Sequence, residues 1–191
     1  IITTAVEHDA VLEPCNMLEK EGVQVIYLPV KRNGVINLSE FKKAINDNTV
    51  LVSIMHVNSE VGAIEPIAEV GRIISEINEE AKREWQKSPE DRRSVKPRRI
   101  YFHTDATQAI NFLNCDVRLS KVDMLSLSGH KIYGPKGVGA LFKQADVLLK
   151  PLVYGGHHEK GMRSGTLNVP GIVGLGAAIS LSAAFFFHVE D

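Results

Sequence analysis

Cysteine is scarce in this sequence: Cys15 and Cys115 stand far apart, without a CxxC or Cys/His ligand spacing. That leaves no disulfide framework and no zinc site of the usual pattern, and a reducing compartment suits it best. Aromatic residues make up 6% of the chain and the formal net charge is −1, so there are few rings for base stacking and no excess of positive charge. Nucleic acid is therefore not the expected partner. An initiator methionine and a charged-then-apolar leader are both missing before the apolar, β-branched opening at residues 1–6, which reads as the interior of something longer. One weakly charged run, residues 169–189, approaches the roughly 20 residues that a membrane span needs. Pro170, Gly171, Gly174, Gly176, Ser180 and Ser182 interrupt it and no aromatic belt precedes it, so the expectation is a buried helix and no membrane.

What is there suits one globular domain: 191 residues, 44% of them hydrophobic, enough for a real core. Residues 10–21 place Val11, Leu12, Cys15 and Leu18 on one helix face, with Gly22 positioned to end it. Residues 23–30 read as a strand, Asn33-Gly34 as a turn, and Asn37 followed by Glu40 as a capping box opening a helix with Leu38, Phe41 and Ile45 on one side. A strand over 50–57 comes next. Pro66 suits a helix first turn, and Ile67, Val70, Ile73, Ile74 and Ile77 make a stripe able to cover a sheet. Residues 100–103, 124–128 and 138–143 are further strands. Such alternation predicts an α/β domain with a mostly parallel sheet flanked by helices and its ligand chemistry at the strand C-terminal ends. The polar, basic stretch 82–99, with Pro89 and Pro97, reads as an exposed insertion. A docking role for it is the sharper alternative, but charge runs are usually solvated faces.

Candidate chemistry gathers at two strand ends. Ser126-Leu127-Ser128-Gly129-His130-Lys131 sets a lysine just past an apolar strand and before Gly134-Pro135-Lys136-Gly137, where a desolvated amine could form a Schiff base with an aldehyde. A solvated lysine is the bland alternative. Upstream, Tyr101-Phe102-His103-Thr104-Asp105-Ala106-Thr107-Gln108 places a carboxylate and an amide three residues apart. Asp105 could hold a proton on a pyridine nitrogen and Gln108 could donate to a ring phenolate, or Asp105 could simply cap the next helix. Gly129–Lys136 is not a nucleotide phosphate loop: it lacks the GK[ST] ending, and Pro135 removes an N–H from any cradle. Adjacent His157, His158 and Glu159 lack further ligands, and no metal site is expected there.

Together, His103–Gln108, Ser128–Gly137, Glu7-His8 with Ala10-Val11-Leu12, the run 52–58 and Gly161-Met162-Arg163-Ser164-Gly165-Thr166 resemble, in order and spacing, the motifs of cysteine desulfurases. These belong to the class V aminotransferases, fold-type I enzymes dependent on pyridoxal 5'-phosphate (PLP). The resemblance covers nearly the whole chain. It implies that residues 1–191 are the central part of a PLP-binding large domain, incomplete at both ends and with the small domain absent. It also implies that Lys131 is the Schiff-base lysine, Asp105 pairs with the ring nitrogen, Gln108 touches the phenolate, and His8 stacks on the ring and assists proton transfer. A helix-cap role is the plainer alternative for His8. Ser128 and His130 would be phosphate ligands, and Thr166 would reach the phosphate of a neighbouring subunit in a homodimer. Ser59 departs from the pattern, standing where the family usually has Asn, and His157 stands where a third Gly is more common.

The implied reaction is conversion of L-cysteine to L-alanine, with the sulfur passed through an enzyme persulfide to an acceptor or scaffold protein for Fe–S cluster or thio-cofactor synthesis. The expected location is the cytoplasm, or the mitochondrion in a eukaryote. In the family the nucleophilic Cys and a carboxylate-binding Arg lie beyond the counterpart of Asp191, so this chain is expected not to complete sulfur transfer alone. Selenocysteine lyase is the nearest alternative, sharing the same cofactor motifs. A non-catalytic interaction module on the same fold is the alternative from another class.

Overall fold

The computed structural model describes residues 1–88 and 96–187. Ten elements alternate in chain order: β1 (Ile2–Thr4), α1 (Asp9–Lys20), β2 (Ile26–Leu28), α2 (Leu38–Ala44), β3 (Leu51–Ser53), α3 (Ile67–Lys87), β4 (Tyr101–Asp105), β5 (Met124–Ser128), β6 (Gly139–Lys143) and α4 (Val169–Phe187). The strands form one sheet in the order β2-β1-β3-β4-β5-β6. Neighbours from β2 to β5 run parallel, and β6 returns antiparallel on β5, with Ser128 opposite Gly139. The link 129–138 is too short for the helical crossover that a parallel partner requires, so the chain reverses. The expected α/β class with a mostly parallel sheet is thus the observed one.

Alternation along the strands sorts the two faces. Ile2, Val52, Phe102 and Leu125 point to one side, where they share a core with Phe41 of α2 and Ile67, Val70, Ile73 and Ile74 of α3. α1 packs on the opposite face, where the Tyr27 hydroxyl lies between Asn16 and Glu19 of that helix, donating to the Glu19 carboxylate at 2.9 Å. The crossovers β1–α1–β2 and β2–α2–β3 lead in opposite directions from β1, and right-handed connections then lie on opposite faces. The strand order therefore reverses between β1 and β3, and a crevice opens there at the C-terminal ends.

Local sequence explains most boundaries. α1 ends as expected at Gly22, whose φ of 91° suits glycine; its N–H reaches the Glu19 carbonyl and the Val23 N–H that of Leu18, the paired bonds of a Schellman motif. Asn37 caps α2 by accepting from the Ser39 N–H, but Glu40 bonds Lys43 instead of closing the expected capping box, because that amine sits one turn along the exposed face. Of the basic stretch 82–99, residues 82–87 continue α3, 96–99 lead into β4, and 89–95 lie outside the described residues.

One expectation is overturned. α4 is not a buried helix: Val169, Val173 and Leu181 are 60–65% exposed, while Leu175 and Ala178 are buried. Among the described side chains, one seam of the helix packs, on Ile132 with Ile110, Leu127 and Val138 around it. Residues 188 and 189 of the predicted run lie outside the described residues. Among the described residues, no helix is long and apolar enough to cross a membrane.

Candidate functional site

The C-terminal ends of β1, β3, β4 and β5 enclose a cavity of about 140 Å³ lined by His8, Ser59, Asp105, Gln108, Ser128, His130 and Lys131, with Ala10, Met55, Val57 and Thr107 completing its walls. Lys131 arrives by the reversal after β5. Gly129 there accepts the N–H groups of both Ile132 and Gly134, and a Cβ at 129 would come within 2.9 Å of the Pro135 carbonyl oxygen, so only glycine allows the turn. Ile132, 1% exposed, anchors the next residue under α4, and the Asn111 side-chain amide donates to the Lys131 carbonyl at 3.2 Å. The backbone of Lys131 is thus held on both sides while the residue lines the cavity.

Asp105 closes β4. One carboxylate oxygen accepts the Thr107 N–H at 2.9 Å, which folds the turn that carries Gln108 to the same wall. The segment 107–112 is a run of turns, so Asp105 shapes an Asx turn and does not cap a helix. His8 takes the helix-cap role. Its Nδ1 accepts the Ala10 N–H at 3.1 Å as the N-cap of α1, and its ring still lines the cavity. Acceptance at Nδ1 leaves the neutral ring's proton on Nε2. Ser59 is on the cavity wall, exposed. Thr166 is not: it is exposed between the short helical turn His158–Gly161 and α4, away from the cavity lining. Among the described residues no cluster of three or more His, Cys, Asp or Glu side chains is arranged to hold a metal ion.

Three features were not assigned from the sequence. His103, on the same face of β4 as Asp105, pairs through Nδ1 with the Ser53 hydroxyl at 2.8 Å and through Nε2 with that of Ser126 at 3.1 Å. Burial lowers its pKa, and the nearby Asp105 charge pulls the other way. Glu7, immediately before His8, is 5% exposed, and its carboxyl is pushed up to about 7, chiefly by burial. Hydrogen bonds from the Met55 N–H and Thr4 hydroxyl oppose that shift, while the charges of Asp105 and Glu65 add to it. Met55 and Val57 give an apolar wall, which the rule that ligands bind beyond strand C-termini would have found.

A larger cleft of about 660 Å³ opens elsewhere, against the N-terminal sides of β4 and β5. Its arginines are already engaged: Arg99 with Asp123 and Asp146, Arg118 with Asp116, and Arg98 with Asp47. The smaller cavity carries the convergent chemistry.

The donor set of that cavity suits PLP: an amine, a carboxylate, an amide, two imidazoles and the hydroxyls of Ser59, Thr107 and Ser128 meet between apolar walls. Similarity to known proteins agrees. The family model described as aminotransferase class-V matches residues 1–81 and 85–188. The chain is 46% identical over 182 residues to "Cysteine desulfurase IscS" of Dictyoglomus turgidum, covering 95% of this chain and 41% of that protein. To human "Cysteine desulfurase" it is 47% identical over 184 residues, 95% of this chain and 36% of that one. Among solved structures it is similar to a "NIFS-LIKE PROTEIN" with a TM-score of 0.83 and 40% identity, covering 96% of this chain and 45% of the other. It is also similar to "SspA in complex with cysteine", with a TM-score of 0.81 and 41% identity over 94% and 46% of the two chains. The chain spans about two-fifths of the length of the curated relatives it matches. Class V aminotransferases and cysteine desulfurases are PLP-dependent. With its match extending from residue 1 to residue 188, the chain belongs to the aminotransferase class-V family.

Proposed function

We propose that these residues form the cofactor half of a PLP-dependent cysteine desulfurase. The observation that carries this reading is one cavity with Lys131 and Asp105 on its lining, together with Gln108 and His8. Bound there, PLP would supply an aldehyde for covalent attachment and a protonated ring that accepts electrons from the substrate carbon.

The protein's own groups divide the remaining tasks. Lys131 would hold the cofactor through its amine, the same group that could take up a proton from the substrate Cα. Asp105, with one oxygen engaged by the Thr107 N–H, offers its carboxylate to keep the ring nitrogen protonated. Gln108 would donate to the ring oxygen. His8, its ring fixed by the cap bond at Nδ1, would stack on the cofactor and present Nε2–H. Ser128 and His130 supply phosphate ligands, while Ser59 fills less of its wall than the usual Asn. Thr166, outside this cavity, is assigned to a neighbouring subunit's phosphate, which makes the working form a homodimer.

L-cysteine is the proposed substrate, by likeness to relatives with that named activity. A sulfur acceptor or scaffold protein is the proposed partner, and the cytoplasm, or the mitochondrion in a eukaryote, the proposed location. Neither cysteine of this chain suits the sulfur-accepting role: Cys15 is buried, Cys115 is held against His56 with its thiol pushed up to about 11 by burial, and neither lines the cavity. The test is spectroscopic. L-cysteine added to the PLP-loaded protein is expected to change its visible absorption, with no such change in Lys131→Ala. A wild-type spectrum indifferent to L-cysteine would overturn the proposal.

A further inference from the structure

The turn after β1 contains a carboxyl that the proposed chemistry does not use. Glu7 Oε1 accepts the Met55 N–H at 2.8 Å and the Thr4 hydroxyl at 2.9 Å, while Oε2 is buried with no hydrogen-bond partner among the described residues. Its neighbours in the chain lead to one wall of the cavity, His8 and Ala10, and the residue it grips leads to the facing wall, Met55, Val57 and Ser59. These two loops leave β1 and β3, the adjacent strands between which the sheet order reverses, so no strand ladder continues to hold them together past the sheet edge. Side chains take over that task. The Asn58 amide donates to the Val6 carbonyl at 3.0 Å, and its oxygen accepts the N–H groups of Glu60 and Val61, which shapes the turn bearing Ser59.

We propose that Glu7 is a positioning residue for the cofactor cavity, its buried carboxyl fixing the His8 wall against the Met55–Ser59 wall. This rests on the cavity being the PLP site. Removing the carboxyl strands the Met55 N–H and the Thr4 hydroxyl in a dry place, and the loops can recover partners for them only by moving. Asp105 of β4, Glu65 before α3 and Cys15 of α1 are the ionisable groups electrostatically coupled to Glu7. None of them is a cation, so the carboxyl ties the walls without a counter-charge and takes up a proton near neutrality, where its accepting oxygen still holds the Met55 N–H.

Nitrogen-15 NMR of the protein without cofactor tests this at the His8 ring and the Met55 amide. Wild-type protein is expected to show the fixed Nε2–H form of His8 and a Met55 amide that titrates near pH 7. Glu7→Ala is expected to average the His8 ring signals and to raise the dissociation constant for PLP, by dialysis, about tenfold. Glu7→Gln keeps the accepting oxygen and is expected to keep the His8 ring fixed while abolishing the Met55 titration. Glu65→Gln removes another buried acid and is expected to leave His8 unchanged, which separates positioning from a general loss of stability. Unchanged His8 signals in folded Glu7→Ala, equal disturbance in Glu65→Gln, or a Met55 titration that survives in Glu7→Gln would each overturn the proposal. The last of these decides if Glu7→Ala does not fold. Wild-type protein that binds no PLP would count against the cofactor reading, while the signals recorded without cofactor would still decide the role of Glu7.

Discussion

Lys131 shows how a surface lysine becomes a defined one: glycine geometry at 129 and burial of Ile132 fix its backbone, so only the side-chain torsions remain to be ordered on binding. Glu7 illustrates the opposite case, a group whose burial is itself the feature. Its carboxyl titrates near 7 in the folded protein against an ordinary value of 4.5, so the folded state binds the proton more tightly than the unfolded one. Stability from this group is therefore full below about pH 4.5, falls as pH rises through about 7, and is constant above that, a change of about 3 kcal/mol. Urea unfolding across that range should show this decline in wild type and its loss in Glu7→Gln; parallel pH profiles for the two proteins would contradict it. The gathering of Lys131, Asp105, Gln108 and His8 at one cavity was legible because their spacing within short motifs survives without knowledge of register. The pairing of His103 with Ser53 and Ser126, and of Glu7 with Met55, was not, because each joins residues that only strand order brings together.

At the scale of elements, helix periodicity and turn residues were readable, while strand lengths were not. The stretch 23–30 contains a strand of only Ile26–Leu28, and 50–57 one of only Leu51–Ser53. Beyond β3, Ile54 stays in the core while Met55 and Val57 line the cavity. α4 misled because an apolar run states that it avoids water, not that a partner is present in the same chain. Its seam and its outer face should respond differently to truncation. Leu175→Ala should cost about 3 kcal/mol and Val173→Ala less than about 0.5 kcal/mol in urea unfolding. Equal losses would mean that the outer face is covered in solution. α3 offers a sharper test of packing. A Cβ at Gly71 would stand 2.0 Å from the Ser120 carbonyl oxygen, so Gly71→Ala must push the helix off the loop before β5. A loss of about 3 kcal/mol is expected from that overpacking, and a loss under about 1 kcal/mol would show that the helix is not seated so closely.

For the molecule as a whole, the sheet order places four strand ends around one cavity and leaves both cysteines outside it. In the proposed reading, the cofactor cavity and the sulfur-accepting thiol are then separable features. Incubated with PLP and L-cysteine, this chain should carry no persulfide on Cys15 or Cys115 by mass spectrometry after alkylation; a persulfide on either would contradict the assignment of roles. The α/β class could be inferred from alternation alone, since parallel neighbours need helical crossovers. The return of β6 could have been inferred as well, from the short, glycine-rich link before it. The central claim is that the amine at 131 and the acid at 105 serve one bound pyridine ring. Its most direct test is borohydride reduction of the protein with one equivalent of PLP, followed by peptide mapping. The account predicts a single phosphopyridoxyl label on Lys131, lost in Lys131→Ala and diminished in Asp105→Ala; labels scattered over exposed lysines, or unchanged in Lys131→Ala, would contradict it.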